Sequence, residues 1–462
     1  VDENINSKPA KKKIKNRNYY ASYPRLVAFS FFAVIVVGTI LLMLPISIKT
    51  GSVNFIDALF TATSATCVTG LVIYDTFTKW TLFGQIVILC LIQIGGLGFI
   101  TIITMLSRFL KKKVSLREKL LLKESFGVIP MGDTKRIVKV VIAGTAMFEA
   151  LGAVILSTQF IPKMGWKNGI YTSIFLSISS FCNAGFDVLG RIQAGSSLIT
   201  VNSNAVILLT IAALIIVGGI GFIVWVDILD RKFNAKRFSL HTKLTLLTTA
   251  ILLIASTVLY YIFERNNTFA DMSFGQGLLN AFFTGATTRT AGFNSVPNGD
   301  LCMESKAITY ILMFIGGSAG STAGGIKTAT VAVLVLCVVS TLKNSNDIEV
   351  FGKRITNDVI RKAVSIFMIN LSEVIISSVI IAICQPEIDF SDILFECISA
   401  IGTVGMSTGI TSSLKLLPKI IIILQMFVGR ITSLVFAFMF ILGNSKGNSL
   451  KSQKPKGNLY IG

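Results

Sequence analysis

The sequence predicts an all-α polytopic membrane protein. Four tandem repeats, each a helix, a pore half-helix, a filter loop and a second helix, are expected around a pseudo-four-fold central pore. Three observations carry this. Hydrophobic residues make up 52% and charged residues 14% of the 462, about half the charged fraction of a soluble domain. Eight apolar runs are long enough to cross a hydrocarbon core of about 30 Å. Four shorter segments, each followed by a glycine, recur with one period.

The long runs are 25–44, 80–106, 137–160, 203–229, 240–263, 305–341, 360–384 and 416–442. Inside each successive pair lies a semi-apolar segment, 54–66, 168–181, 273–288 or 389–401. These are too short to span and read as re-entrant half-helices, which a bilayer tolerates only within protein or beside water. The glycines that follow are Gly70, Gly185, Gly292 and Gly405, separated by 115, 107 and 113 residues. A phenylalanine stands ten residues before each: Phe60, Phe175, Phe282 and Phe395. Each second long run carries IGGLG (94–98), VGGIG (217–221), IGGSAG (315–320) or VGRIT (428–432). Three marks in register four times define an internal repeat of about 110 residues. The repeats are bounded at 25–106, 137–229, 240–341 and 360–442, after a basic N-terminus, 1–24. A basic loop, 107–136, joins the first two, and a tail, 443–462, ends the chain.

The net charge of +20 alone would suggest a nucleic-acid binder, but its placement excludes that. The stretches 1–25, 107–139, 227–243, 343–362 and 443–462 hold 31 basic and 10 acidic residues, against 12 and 13 elsewhere. If every repeat re-enters from the same side, all five lie on one face, and the positive-inside rule makes that face and both termini cytoplasmic. Anionic lipid is the expected first partner of these charges.

A half-helix pointing into the bilayer, then an extended glycine loop, is how backbone carbonyls are aimed at a dehydrated cation. The half-helices would turn their partially negative C-termini to the centre, with Asp57 and Asp392 complementing the N-terminal ends of the first and fourth. A single such glycine could serve helix packing alone; four in register after four half-helices point to a filter. The third repeat carries Gly316, Gly317, Ser318, Ala319, Gly320, Ser321, Thr322, Ala323, Gly324 and Gly325 in the middle of a long run. Glycine costs about 1 kcal/mol relative to alanine in a helix. This stretch therefore reads as a broken helix lining a cavity, with a close-packed helix face as the alternative. Arg430 stands where the other repeats have Gly96, Gly219 and Gly317. An arginine within an apolar helix is a functional candidate by default. Lys327 reads as a lysine snorkelling from a helix end. Glu149 and Glu373 are interior acids for which the sequence names no partner. Seven scattered cysteines and one histidine offer no zinc spacing and no nucleophile with a base, so no enzyme is expected.

The motifs TSATCVTGL (63–71), QIGGLGF (93–99), CNAGFD (182–187), GGIGF (218–222), SLHTKL (239–244), TTRTAGFN (287–294), GGSAGSTAGGIK (316–327), GTVGMS (402–407) and FVGRI (427–431) resemble the Trk/Ktr/HKT superfamily of potassium transporters. The resemblance covers 25–442 and is nearest the bacterial Ktr membrane subunit. It implies K+ uptake across the plasma membrane, with K+ held by the carbonyls of Val68, Thr69 and Gly70, Asn183, Ala184 and Gly185, Thr290, Ala291 and Gly292, and Thr403, Val404 and Gly405. Relatives that prefer Na+ carry serine for the first filter glycine; here it is Gly70. The resemblance further implies a gate formed by 316–325 with Arg430, a homodimer to which the tail contributes, and a cytosolic ring of nucleotide-binding regulatory subunits. Na+ is a candidate activator, and the chain needs no cofactor of its own. No phosphate-cradling loop appears in the sequence, so nucleotide control would arrive through that partner. The competing reading is an ion-coupled secondary K+ or Na+ transporter, which the shared polarity of all four repeats disfavours.

Overall fold

The computed structural model describes residues 17–98, 134–345 and 347–431. Most of the basic N-terminus, nearly all of the basic loop 107–136 and the tail 443–462 lie outside the described residues, as do the ends of the runs 80–106 and 416–442.

The fold is an all-α, multi-pass membrane architecture. The first repeat comprises α1 (Arg17–Met43), half-helix α2 (Phe55–Thr66), the single turn α3 (Thr76–Lys79) and α4 (Leu82–Leu97). The second comprises α5 (Thr134–Met164), half-helix α6 (Trp166–Phe181), α7 (Ala205–Ile220) and α8 (Phe222–Asp230). The third comprises α9 (Leu240–Glu264), half-helix α10 (Phe274–Thr287), α11 (Met303–Phe314) and α12 (Thr328–Leu342). The fourth comprises α13 (Asn357–Cys384), half-helix α14 (Phe390–Gly402) and α15 (Leu416–Ile431). Among the described residues α5, α9 and α13 are long and apolar enough to span a membrane, and α7 with α8 forms a fourth candidate with a bend.

Helix starts follow local chemistry. The Thr81, Asn204, Ser239 and Ser273 side chains accept from the amides of Gly84, Ile207, Thr242 and Gln276 at the starts of α4, α7, α9 and α10. Each satisfies one of the donors that a helix N-terminus leaves free. The outer faces are apolar: Phe29, Ile40, Val154, Ile254, Ile376 and Ile383 are exposed, as a lipid-facing surface requires. The half-helices sit inside. Their aromatic anchors Phe60, Phe175 and Phe395 are completely buried. In the third repeat Phe283 is the fully buried ring and Phe282 only partly so, one position away from the expected mark.

One departure concerns continuity. The run 203–229 is not one helix: α7 ends at Gly221 (φ +104°) and α8 leaves at 84°. The run 305–341 is helical to Phe314 and again from Thr328, interrupted where the sequence predicts a broken helix. Within the connection 343–362 the chain adds a small hairpin, β1 (Ile348–Val350) antiparallel to β2 (Lys353–Ile355), a minor exception to an otherwise helical fold.

Candidate functional site

Each half-helix ends in the same backbone manoeuvre. The first residue of every predicted filter triad has a left-handed conformation although none is glycine: Val68 (φ +56°), Asn183 (+58°), Thr290 (+68°) and Thr403 (+48°). The third residue repeats it at Gly70, Gly185, Gly292 and Gly405 (+98°, +69°, +79° and +89°). Left-handed non-glycine residues cost energy and persist only where the surroundings impose them. Here the middle residue's amide is tied back to its half-helix: Thr69 N to Ser64 O, Ala184 N to Ser179 O and Val404 N to Ser399 O, all 2.8 Å, and Ala291 N to Thr287 O at 2.9 Å. Two hydroxyls add support, Ser64 Oγ accepting from Gly70 N (3.1 Å) and Ser399 Oγ from Gly405 N (3.0 Å).

The four triads meet. A Cβ on Gly70 would fall 2.6 Å from the carbonyl oxygen of Ala184, one on Gly185 2.8 Å from that of Ala291, and one on Gly292 2.5 Å from that of Val404. Gly405 closes the circle against the carbonyl oxygen of Thr69. Each filter glycine thus packs against the middle carbonyl of the next triad around a closed ring, and only glycine lets the chains approach so closely. On one side of the ring opens a vestibule of about 250 Å³, lined among others by Asp75, Asp187, Asn294, Ser407 and Thr411. Asp187 accepts from Leu189 N at 2.9 Å. Its partial burial pushes its carboxyl up to about 6, opposed by that hydrogen bond and reinforced by the Asp75 charge.

On the other side lies the non-helical segment Ile315–Lys327. It is hydrogen-bonded rather than loose. Ser318 N donates to Gly219 O (3.0 Å), Thr322 N to Gly218 O (3.4 Å), and Phe222 N to Gly320 O (2.8 Å). The elbow between α7 and α8 is therefore its wall. Arg430 donates to the carbonyls of Thr322 and Gly95. Lys327 does not snorkel outward: its Nζ turns back to the carbonyls of Ala323 (2.9 Å) and Gly324 (3.2 Å). A broken helix frees carbonyls that must find donors, and these two cations supply them. The structure thus brings Gly316–Gly325 and Arg430 together, and adds Lys327.

The repeats are also clasped at their outer ends. Gln85, Lys306 and Lys419 each stand eleven residues before Gly96, Gly317 and Arg430. Each reaches the half-helix of the next repeat. Tyr171 Oη donates to Gln85 Oε1 (2.8 Å), Lys306 Nζ lies 3.8 Å from Asp392, and Lys419 Nζ lies 2.7 Å from Asp57. Tyr74 Oη donates to the other Asp57 oxygen at 2.7 Å. Asp57 and Asp392 therefore do more than cap a dipole; they hold neighbouring repeats together. Glu149 accepts from Gln93 Nε2 at 3.0 Å, and Glu373 lines a shallow outward groove with Ser372 and Ser377, so the two acids are not paired with each other.

The family model described as TrkH, cation transport protein, matches residues 8–451. The chain belongs to this cation-transport family. It is 38% identical over 457 residues to the potassium/sodium uptake protein NtpJ of Enterococcus hirae, covering 98% of this chain and 99% of that one. It is 38% identical over 442 residues to the Ktr system potassium uptake protein B of Bacillus subtilis, covering 95% and 96%. The crystal structure of the potassium transporter TrkH from Vibrio parahaemolyticus shares the fold: TM-score 0.71 at 17% identity, over 95% of this chain and 87% of that one. The Trk/Ktr family is one of membrane transporters, and this chain is a multi-pass member. Among the described residues no group of three His, Cys, Asp or Glu side chains could hold a metal ion. The oxygens named in the ring of triads are neutral backbone carbonyls, a type of ligand that can replace the hydration shell of a cation.

Proposed function

We propose that the chain takes up K+ through a central pore of pseudo-four-fold symmetry, formed by the repeats 25–106, 137–229, 240–341 and 360–442. The four triads at 68–70, 183–185, 290–292 and 403–405 form the selectivity filter, their carbonyls replacing the hydration shell of K+. The segment Gly316–Gly325, held by Arg430 and Lys327, is the gate below it. The chain works as a homodimer, and a cytosolic nucleotide-binding ring bears on its basic inner face. Relatives named as a Ktr system potassium uptake protein and a potassium/sodium uptake protein support K+ as the cargo and Na+ as activator or second cargo. The observation that carries the reading is the closed ring of triads, in which each filter glycine packs against the middle carbonyl of the next repeat.

The test is Rb+ or K+ flux into liposomes containing the purified protein, with external Na+ varied and the regulatory ring present or absent. K+-selective uptake is expected. Failure to move K+ under any gradient would overturn the reading. Uptake that strictly requires a Na+ or proton gradient would favour the ion-coupled alternative.

A further inference from the structure

Glu396 has no role in the filter, the gate or the inter-repeat clasps, yet it is a carboxyl at 1% exposure within half-helix α14. Its second oxygen, Oε2, has no hydrogen-bond partner among the described residues. Burying such a group costs free energy unless it is bonded, and packing does not demand it. The same register, nine residues before the filter glycine, is Thr61, Leu176 and Phe283 in the other repeats. In the fourth repeat Glu396 faces the chain leaving the filter, where it bonds Thr411. Two residues past the glycine the second and third repeats carry Asp187 and Asn294, whose side chains accept from Leu189 N and Asn298 Nδ2 at 2.9 Å each and so brace their own exit loops. The first repeat has Val72 there and the fourth Ser407. Ser407 Oγ likewise accepts from the amide two residues on, Gly409 N (2.9 Å), and lies 2.9 Å from Thr411 Oγ1, and the Thr411 hydroxyl donates to Glu396 Oε1. Gly405, Ser407, Gly409 and Thr411 all line the vestibule.

We propose that Glu396 is the positioning residue of the fourth filter loop. Acting through Thr411, it holds in place the hydroxyl of Ser407, the residue that stands where Asp187 and Asn294 brace their own loops. It thereby fixes the outer exit of Thr403–Gly405 and the discrimination of K+ from Na+ at that quarter of the ring. The inference rests on the pore reading above.

The test compares full-length wild type, Glu396→Gln, Thr411→Val, Thr411→Ser and the Glu396→Gln/Thr411→Val double variant in liposomes. Rb+ uptake is competed with external K+ and Na+, and unfolding in detergent is followed in parallel. Glu396→Gln and Thr411→Val are each expected to lower the K+ over Na+ ratio about fivefold, the equivalent of one net hydrogen bond. The double variant falls no further than the worse single one, because both break one relay, and Thr411→Ser keeps the wild-type ratio. Wild-type selectivity in both single variants, with or without lost thermal stability, would make Glu396 a merely structural acid and overturn the proposal. Additive losses in the double variant would overturn the relay. A wild type that does not discriminate K+ from Na+ would bring down the pore reading and this inference together.

Discussion

Replacing Lys419 by methionine removes one partner of the pair that joins the fourth repeat to the first. Lys419 Nζ sits 2.7 Å from Asp57 Oδ1, with side chains only 15% and 6% exposed. At an effective dielectric near 20 the attraction of two charges at this distance is about 6 kcal/mol gross, much of it offset by desolvation. Breaking such a pair from one side leaves an uncompensated buried charge and costs about 3–5 kcal/mol. Tyr74 Oη still bonds Asp57, which places the expected loss at the lower end, about 3 kcal/mol. The consequence reaches the proposed filter, because Asp57 lies in the first turn of the half-helix that carries Val68–Gly70, and Gly405 packs against Thr69 across this same seam. The assay is a double-mutant cycle of Lys419→Met, Asp57→Asn and both together. Reversible unfolding in detergent gives the energies, and Rb+ flux with K+ and Na+ competition gives selectivity. Both single variants should lose stability and K+ discrimination, and the double variant should recover part of each, with an interaction energy of about 2–3 kcal/mol. Additive losses, or a Lys419→Met protein as stable as wild type, would refute the reasoning that this pair closes the ring.

Gly70→Ser would add a Cβ 2.6 Å from the Ala184 carbonyl oxygen at a residue with φ +98°, so ion competition should show weakened K+ over Na+ discrimination; an unchanged ratio would remove Gly70 from the filter. Arg430→Ala takes the donor from the Thr322 and Gly95 carbonyls and clears a fixed positive charge from below the filter, so flux should rise at least severalfold, about 1 kcal/mol off the barrier; wild-type flux and K+ affinity would exclude a gating role. Asp187, with its carboxyl raised to about 6 by burial, should give external pH a hold on uptake: as pH rises through 6 the vestibule gains a negative charge, so uptake at low K+ should climb between pH 5 and 7, and Asp187→Asn should flatten that rise. The stability sign is the reverse. The folded state binds this proton more tightly than the unfolded chain, so the contribution is full below pH 3.8 and is lost as pH rises through about 6; equilibrium unfolding at pH 4 and pH 7 should show Asp187→Asn gaining on wild type at the higher pH.

The parts legible in the sequence are those that depend on near neighbours. The half-helix α2, expected at 54–66, spans Phe55–Thr66, and α14, expected at 389–401, spans Phe390–Gly402, because length, apolar content and the following glycine are local signals. The elbow at Gly221 is not legible, since hydropathy runs unbroken through 203–229 and the bend is imposed by the segment at Gly320, about 100 residues away. Lys327 misleads for a related reason. A lysine at a helix end has the same sequence signature whether it turns to the interface or back onto loop carbonyls. The Asp57–Lys419 pair spans 362 residues, beyond any periodicity argument. One sequence signal could have found it: aligning the repeats on Gly96, Gly317 and Arg430 stacks Gln85, Lys306 and Lys419, three polar side chains at one register of an apolar helix. Of the left-handed Val68, Asn183, Thr290 and Thr403, only the asparagine has a side chain that favours that conformation; on the valine and the threonines the ring imposes it.

The two cations beneath the ring bear on how the proposed gate would be kept shut. A carbonyl that could receive a dehydrated K+ can equally receive a guanidinium or ammonium proton, and here Thr322, Ala323 and Gly324 already do so from Arg430 and Lys327. Ser318, Gly320 and Thr322 are also bonded to the α7–α8 elbow, and Gly316 N to Ile326 O (2.9 Å) and Thr328 N to Gly317 O (3.1 Å) tie the ends of the segment. The segment is therefore held both by neutral backbone bonds to the elbow and by charged donors from Arg430 and Lys327. If this segment is the gate proposed above, withdrawing the Arg430 and Lys327 donors leaves carbonyls that water or the passing cation can occupy, whereas breaking the elbow bonds leaves neutral backbone groups with no such replacement. The expected opening step is therefore movement of Arg430 and Lys327 with the elbow bonds kept.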